Sequence, residues 1–362
     1  MAARVAVCCG SGGVGKTTVS AALALQAAAH GARVAVLTID PARRLADSLG
    51  IGALTNTPRR VHLEAALPHA SGTLDALMLD AKATFDELLR RLGSNPAQVE
   101  RILLNRYYRQ VSTELGGAHE YMAMMRLLDL VECGRYDLVV LDTPPTRHAL
   151  EFLTAPDRLA AVLDEGVLRW LVMPTTRSGW RALELGSEAV AGVLKRLVGT
   201  GTVAEIAEFF ELIRDVADDI TARTATIKAH LASEHTRFYL VTSPAPVARD
   251  EALALLHILG DRHLPFGGFL VNRVVGAPTH PLDPAALPAS GPLPPERWAR
   301  VLDALQRAPA LRRELSASHA AAVRALRAAG PPGAPCWTLP EQDQDLTTLP
   351  GLVALLPHLP SV

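Results

Sequence analysis

The sequence predicts an α/β fold: a parallel sheet with helices on both faces and an α-helical insertion between two strands. Three observations lead to this fold class. Short apolar runs alternate with longer stretches whose apolar residues recur at helical spacing. Most short runs are continuously apolar, as expected of strands that are buried on both faces. One long stretch has helical periodicity and no convincing strand, which places the insertion at residues 154–235.

The strands and helices follow one another in a repeating order. Helix 16–30, rich in Ala and Leu, lies between the first two strands, and this order implies parallel strands with right-handed crossovers. A loop rich in Pro, Ala and Gly is expected at 276–295, then helices 296–306 and 311–329. The predicted strands are 4–9, 33–39, 73–79, 136–141, 237–241 and 267–271.

Composition limits the classes of function. The 362 residues carry a net charge of −1 with both signs well mixed, which argues against strong binding to nucleic acid. No signal peptide is visible, and no apolar run reaches the roughly 20 residues of a membrane span, so we expect no stable membrane insertion. The four cysteines form no CxxC pair, and Cys8 and Cys9 are expected to be buried in a strand. A reduced, cytoplasmic protein fits best.

A glycine-rich loop follows the first strand. Residues 10–17, GSGGVGKT, fit the pattern GxxxxGK[ST], with a strand before it and a helix after it. Glycines let backbone amides curl around an anion, and the helix N-terminus adds positive potential. Lys16 is expected to reach the β and γ phosphates of ATP, or less readily GTP, and Thr17 to hold Mg²⁺. The sequence therefore predicts a P-loop NTPase whose loop also includes Gly12, Gly13, Val14, Gly15 and Thr18.

Two aspartates close strands of the predicted sheet. Asp40 follows the second strand, and Asp142 follows the apolar strand 136–141. Ligands of open parallel sheets bind beyond the carboxyl ends of the strands, so both carboxylates should face the phosphates. Asp142 is expected to orient Mg²⁺, and Asp40 to position the attacking water. The alternative is that either aspartate only caps the helix that follows it.

These motifs together resemble those of the ArsA family of ATPases. The family has a GKGGVGKTT loop, a DPAH motif near strand two and a DTAPTGH motif. Their counterparts here are GSGGVGKTT at 10–18, DPAR at 40–43 and DTPPTRH at 142–148. The family includes arsenite-pump ATPases and the guided-entry ATPases that carry tail-anchored membrane proteins.

The resemblance implies further roles. Asn272 and Arg273 match the family's adenine-recognising motif, and Pro340 and Glu341 match its late loop over the base. Asp40 would activate water, and residues 142–148 would form a nucleotide-dependent switch. The family works as dimers that close on ATP, and segment 154–235 sits where it keeps its client or effector region. On this basis residues 1–362 form one ArsA-like unit.

Ser11 departs from the family pattern, which has a lysine there that reaches across the dimer to the partner's phosphates. Loss of such a charge lowers rates by orders of magnitude in comparable enzymes. Three interpretations follow. The chain is a slow ATPase, or Arg43 or Arg44 supplies the charge, or a related subunit supplies it in a heterodimer.

Two other departures from the family pattern limit the metal ions and partner proteins that are expected. Segment 276–295 has no CxxC where eukaryotic tail-anchor carriers hold zinc between subunits, so no structural zinc is expected. The cysteines do not follow the arsenite-pump pattern. The chain has one P-loop, so it is expected to dimerise with itself or with a related subunit, and to bind a protein client.

Three functions remain open on the sequence. The first is an ATP-hydrolysing, dimeric switch coupled to a protein client. The second is a regulatory subunit that binds nucleotide with little or no hydrolysis, which Ser11 favours and Asp40 and Asp142 oppose. The third is a partitioning or cell-division ATPase of the same superfamily, which sedimentation with DNA or liposomes would test.

Overall fold

The computed structural model describes residues 4–40, 44–93, 95–105, 108, 118–144, 219–277, 294–342, 346 and 348–361. Within these ranges the strands are β1 (Arg4–Cys9), β2 (Arg33–Thr38), β3 (Arg59–Val61), β4 (Thr73–Met78), β5 (Leu138–Asp142), β6 (Thr236–Thr242), β7 (Phe266–Val274) and β8 (Cys336–Pro340). The helices are α1 (Lys16–Ala29), α2 (Arg44–Ser48), α3 (Ala81–Leu92), α4 (Pro96–Leu104), α5 (Ala118–Glu132), α6 (219–231), α7 (Pro246–Asp261), α8 (Pro295–Ala329) and α9 (Leu349–Val353).

All eight strands belong to one sheet in the order β3-β4-β2-β5-β1-β6-β7-β8. Every neighbouring pair is parallel except β3 with β4, so the sheet is mostly parallel, as predicted, with one antiparallel edge strand. The prediction missed β3 and β8, one at each edge. β3 has three residues and β8 ends at a proline, so neither has the long apolar run that marks the central strands.

Two apolar cores lie on opposite faces of the sheet, which confirms that helices cover both faces. One core joins the sheet to α1, α2 and α9 through Leu23, Leu45 and Leu352. The other joins it to α3, α5, α7 and α8. The central strands β1 and β2 are buried after their first residue, because they contact both cores. α1 follows the phosphate loop and is buried along most of its length.

The C-terminal helix differs from the prediction. We expected two helices, 296–306 and 311–329, whereas α8 is one helix of 35 residues with Pro309 inside it. Proline removes one backbone hydrogen bond and usually kinks a helix. Most residues around Pro309 are exposed, so water can satisfy the carbonyl that loses its partner. Only Ala322, Val323 and Leu326 of α8 are buried.

Part of the predicted helical insertion is described. The described part consists of α6 and the short turn between it and β6, and residues 154–218 of the insertion lie outside the described residues. The insertion as a whole stays a prediction. Residues 278–293 of the predicted loop also lie outside the described residues. No helix in the described ranges has both the length and the apolar character needed to cross a bilayer.

Candidate functional site

The loop between β1 and α1 has the backbone of a phosphate cradle. Gly13 and Gly15 have φ values of 79° and 90°, a left-handed conformation that glycine adopts without steric penalty. At Gly10, a Cβ atom would collide with the carbonyl oxygen of Val241 in β6, so only glycine fits at this position. The motif glycines therefore have structural causes that are independent of any ligand.

Lys16 lies over this loop. Its Nζ donates a 2.8 Å hydrogen bond to the backbone carbonyl of Ser11, and the residue is 8% exposed. Burial lowers the pKa of Lys16, and the negative charges of Asp142 and Asp40 partly oppose that shift. A lysine amine held inside a cradle of backbone amides suits a polyanionic phosphate chain.

Thr17 and Asp142 meet at the base of the loop. The Thr17 hydroxyl donates to Oδ2 of Asp142 at 2.8 Å, and the Thr38 hydroxyl donates to the same oxygen at 2.9 Å. Asp142 is fully buried, and desolvation raises its pKa to about 6 against the opposing effect of these hydrogen bonds. A hydroxyl and a carboxylate oxygen are the hard ligands that Mg²⁺ prefers, so these two side chains fit such an ion.

Two residues near Asp142 were not singled out from the sequence. Thr38 is the register partner of Asp142 across β2 and β5, and the Ser20 hydroxyl lies 3.4 Å from Oδ1 of Asp142. Ser20 is one helical turn after Thr17 and therefore points the same way. Ser20 could have been identified from the sequence, because it is spaced one helical turn from Thr17. Thr38 could not be identified without knowing that β2 pairs with β5.

Asp40 lies just beyond β2. Its backbone N–H donates to the Thr38 hydroxyl at 3.2 Å, and its carboxylate is 3.8 Å from the guanidinium of Arg44, the first residue of α2. The Arg44 side chain is 70% exposed and that of Asp40 is 26% exposed. Arg44, one candidate for the missing positive charge, thus lies beside the predicted water-positioning carboxylate. Arg43, the other candidate, lies outside the described residues.

Asn272 contacts the phosphate loop directly. Its Nδ2 donates to the carbonyl of Val14 at 2.9 Å, and its Oδ1 accepts from the backbone N–H of Arg273 at 2.9 Å. These two partners fix which end of the amide carries the nitrogen. A Cβ at Gly15 would collide with this Nδ2. This contact with Val14 uses one of the two Nδ2 hydrogens, and the other can donate to an acceptor on a nucleotide base. Recognition of adenine by Asn272 stays a prediction.

A β-bulge creates this arrangement. The β7–β8 register moves from Val271 opposite Thr338 to Val274 opposite Pro340, so β7 has one extra residue there. Arg273, within the bulge, has a φ of 58°, which is unusual for a residue other than glycine. Bulges redirect side chains and often lie next to binding sites.

The second pair of predicted base residues is adjacent. The Glu341 N–H donates to the Val274 carbonyl at 3.1 Å, directly after Pro340 pairs with Val274. All four predicted base residues therefore lie at the carboxyl ends of β7 and β8, and one of them, Asn272, contacts the phosphate loop. Their role at the base stays a prediction.

Ser11 is 6% exposed, and its hydroxyl has no hydrogen-bond partner among the described residues.

Thr143, the second residue of the DTPPTRH motif, donates from its hydroxyl to the Cys8 carbonyl at 2.8 Å and thereby connects the end of β5 to β1. Residues 145–148 of that motif lie outside the described residues. Cys8 and Cys9 are buried, as expected, and desolvation raises the pKa of each thiol to about 12.

Comparison with known proteins agrees with this geometry. A family model described as anion-transporting ATPase matches residues 3–280. An ATPase ASNA1 homolog of Babesia bovis is 28% identical over 270 residues, which cover 74% of this chain and 65% of that protein. An uncharacterised protein of Streptomyces coelicolor is 30% identical over 295 residues, covering 81% of this chain and 67% of that protein. An ATPase GET3 of Malassezia globosa is 30% identical over 156 residues, 43% of each chain.

The matched range holds most of the site, although these alignments cover only part of each relative's length. Residues 3–280 include the phosphate loop, Asp40, Asp142 and Asn272, whereas Pro340 and Glu341 lie beyond them. The chain therefore belongs to the ArsA family of anion-transporting ATPases.

Proposed function

We propose that this chain is an ATP-hydrolysing molecular switch of the ArsA type, which works as a dimer and couples its nucleotide state to the binding of a protein client. The observation that carries the proposal is the joining of Thr17 and Asp142 by a hydrogen bond at the base of a preformed phosphate cradle. The relatives that are named as ATPases support the same activity. We further propose that the chain acts in the cytoplasm.

The proposed chemistry assigns one task to each group. Loop amides from Gly12 to Thr18 and the Lys16 amine bind the phosphates and balance their charge. Thr17 and Asp142 would hold Mg²⁺, which would add positive charge beside the phosphates. Asp40 orients the attacking water. Asn272, Arg273, Pro340 and Glu341 surround the base.

Contacts through α5 support coupling between the nucleotide site and the helical segment. At its start, the His119 ring nitrogen lies 3.5 Å from the carbonyl of Ile39, next to Asp40. Two residues later, the Tyr121 hydroxyl contacts the Ile220 carbonyl at 3.2 Å and the Thr224 hydroxyl at 3.0 Å, both in α6. α5 thus touches both the end of β2 and the returning helix of the segment, so a shift of either can be transmitted to the other.

The proposed hydrolysis is tested by two substitutions. Lys16→Ala is expected to abolish ATP binding, measured by calorimetry with Mg²⁺. Asp40→Asn is expected to bind ATP and to lose phosphate release, because the binding groups remain while the water loses its carboxylate. Lys228→Ala and Asp47→Asn are the controls, since both residues are exposed to solvent and neither belongs to the phosphate loop. Normal hydrolysis by both site variants would show that the assignment is wrong.

Ser11 favours one second candidate, a regulatory subunit with little or no hydrolysis of its own. Its side chain brings no charge to the loop, and it is already enclosed by its own chain. A phosphate-release assay on the purified chain separates the candidates, because the regulatory subunit would bind ATP without turnover. Purification from the native source with Asp40→Asn, which is expected to hold the ATP-bound state, would then identify a related subunit or a client.

A further inference from the structure

A side chain of α8 holds the backbone immediately after the β7 bulge. The Val275 N–H donates a 3.0 Å hydrogen bond to Nδ1 of His319. Val275 is 6% exposed, so its N–H needs a partner within the protein. For Nδ1 to accept, the neutral ring must carry its proton on Nε2. His319 thus supplies one acceptor in a defined tautomer.

The end of the strand explains why a side chain is needed there. The bulge interrupts the β7–β8 register at Asn272 and Arg273, the pairing resumes at Val274, and Val275 lies just beyond this last residue of β7, where the ladder no longer supplies a partner. Each group there has a different partner. Asn272 bonds the phosphate loop, Arg273 bonds the Asn272 side chain, Val274 bonds Glu341, and Val275 bonds His319.

Among these hydrogen-bond partners, His319 is the one that lies in a helix, α8, rather than in a strand or in the loop after a strand. It lies one turn before Ala322 and Val323, where α8 becomes buried against the sheet. A fixed helix therefore anchors the end of a segment that contains a φ of 58° at Arg273. Residues in strained conformations keep them only when the surroundings hold them in place.

We propose that His319 is a positioning residue for the nucleotide base. By holding Val275, it keeps the bulge in the conformation that presents Asn272 and the Pro340–Glu341 turn to the base. This inference rests on the proposed nucleotide function and deepens it. The His319 ring bonds Val275 rather than the phosphate loop itself, so its loss should weaken the contacts to the base more than those to the phosphates.

The test compares two ligands in the presence of Mg²⁺, ATP and inorganic tripolyphosphate, which lacks the base and the sugar. His319→Leu is expected to weaken ATP binding by about 5- to 10-fold, the effect of one or two hydrogen bonds, and to weaken tripolyphosphate binding less. His319→Asn should restore ATP binding, because its Oδ1 offers an acceptor close to the place of Nδ1. His319→Gln, whose acceptor lies one bond farther out, should not.

Each result decides between the alternatives. Unchanged ATP binding by His319→Leu, equal loss of both ligands, or no rescue by Asn would each overturn the positioning role. Thermal unfolding of every variant separates loss of binding from loss of folding, since rescue of ATP binding without a matching change in melting temperature supports positioning. Failure of the wild-type chain to bind either ligand would instead refute the proposed function itself.

Discussion

The hydroxyl of Thr17 donates a 2.8 Å hydrogen bond to Oδ2 of Asp142, although 125 positions separate the two residues in the sequence. This bond joins the helix that follows the phosphate loop to the strand that ends in the second acidic motif. The Asp142 carboxylate is thereby placed in the interior, where its charge is poorly solvated. The surroundings of Asp142 suit a carboxylate that binds a cation, and they are unfavourable for the charged carboxylate when no cation is bound.

Asp142→Asn is expected to stabilise the nucleotide-free protein at neutral pH and to abolish hydrolysis. The folded state raises the pKa of Asp142 from 3.8 to about 6, so it binds this proton more tightly than the unfolded state does. The stability contributed by the protonated group is present below pH 3.8 and is lost as the pH rises through about 6. Ionisation of the buried group therefore costs about 3 kcal/mol at neutral pH, and asparagine has no such cost.

The measurement is urea unfolding of both proteins in EDTA. The difference in unfolding free energy, variant minus wild type, should grow by about 1 to 2 kcal/mol between about pH 5 and about pH 8. Taking the difference cancels other groups that titrate in both proteins. A difference that does not change with pH would show that Asp142 is not desolvated as described.

Gly15→Ala is expected to destabilise the protein more than Gly13→Ala, although both glycines have positive φ. Either alanine carries a conformational penalty of about 1 to 2 kcal/mol. At Gly15 the new Cβ also collides with Nδ2 of Asn272, whereas at Gly13 nothing lies within 4 Å. Gly13→Ala is thus the matched control, and nucleotide-free unfolding is the measurement.

Combining Gly15→Ala with Asn272→Ala tests the cause. If the collision is responsible, the destabilisation caused by Gly15→Ala should fall towards that of Gly13→Ala once the amide is gone. Additive effects of the two substitutions would contradict the contact between Asn272 and the loop.

Much of the architecture could be predicted from local sequence, because buried parallel strands and the phosphate loop have strong local patterns. The positions of Lys16 and Thr17 followed from the phosphate-loop pattern, and those of Asp40 and Asp142 from the ends of predicted strands. What could not be predicted depends on long-range pairing. The role of Thr38 requires that β2 pair with β5, and the contact of Asn272 with Val14 requires a bulge in β7. Continuity of α8 through Pro309 depends on its exposure to solvent, which no local pattern reveals.

Ser11→Lys is expected to raise turnover by about tenfold or more if the missing positive charge limits hydrolysis. The assay is phosphate release at saturating ATP. Ser11→Met is the control, since it has similar length without charge, and the buried position will disturb both variants alike.

Two of the interpretations of Ser11, a missing charge and a charge supplied by Arg44, make different predictions in the same assay. A rise with Lys and none with Met supports a missing charge. No rise with Lys, together with a loss of turnover in Arg44→Ala, indicates that Arg44 already supplies the charge beside Asp40. An equal rise with Met would contradict an electrostatic role for the position.

Tyr121→Phe is expected to weaken the coupling between the nucleotide site and α6 without weakening ATP binding. The substitution removes the hydroxyl that contacts Ile220 and Thr224. The Ile220 carbonyl keeps its 2.8 Å bond from the Thr224 hydroxyl, so no buried acceptor loses its last partner. We expect a loss of only about 1 kcal/mol of stability.

Amide hydrogen exchange of residues 219–231, with and without ATP, reports the coupling. In the wild type we expect ATP to change protection in α6, because α5 contacts both α6 and the backbone next to Asp40. In Tyr121→Phe that change should shrink while the affinity for ATP stays the same. Tyr136→Phe is the control, since its hydroxyl bonds Asp75 of β4, a contact that involves neither α5 nor α6. An ATP effect on α6 that survives in Tyr121→Phe would mean that the signal travels by another route, because the hydroxyl is the contact removed.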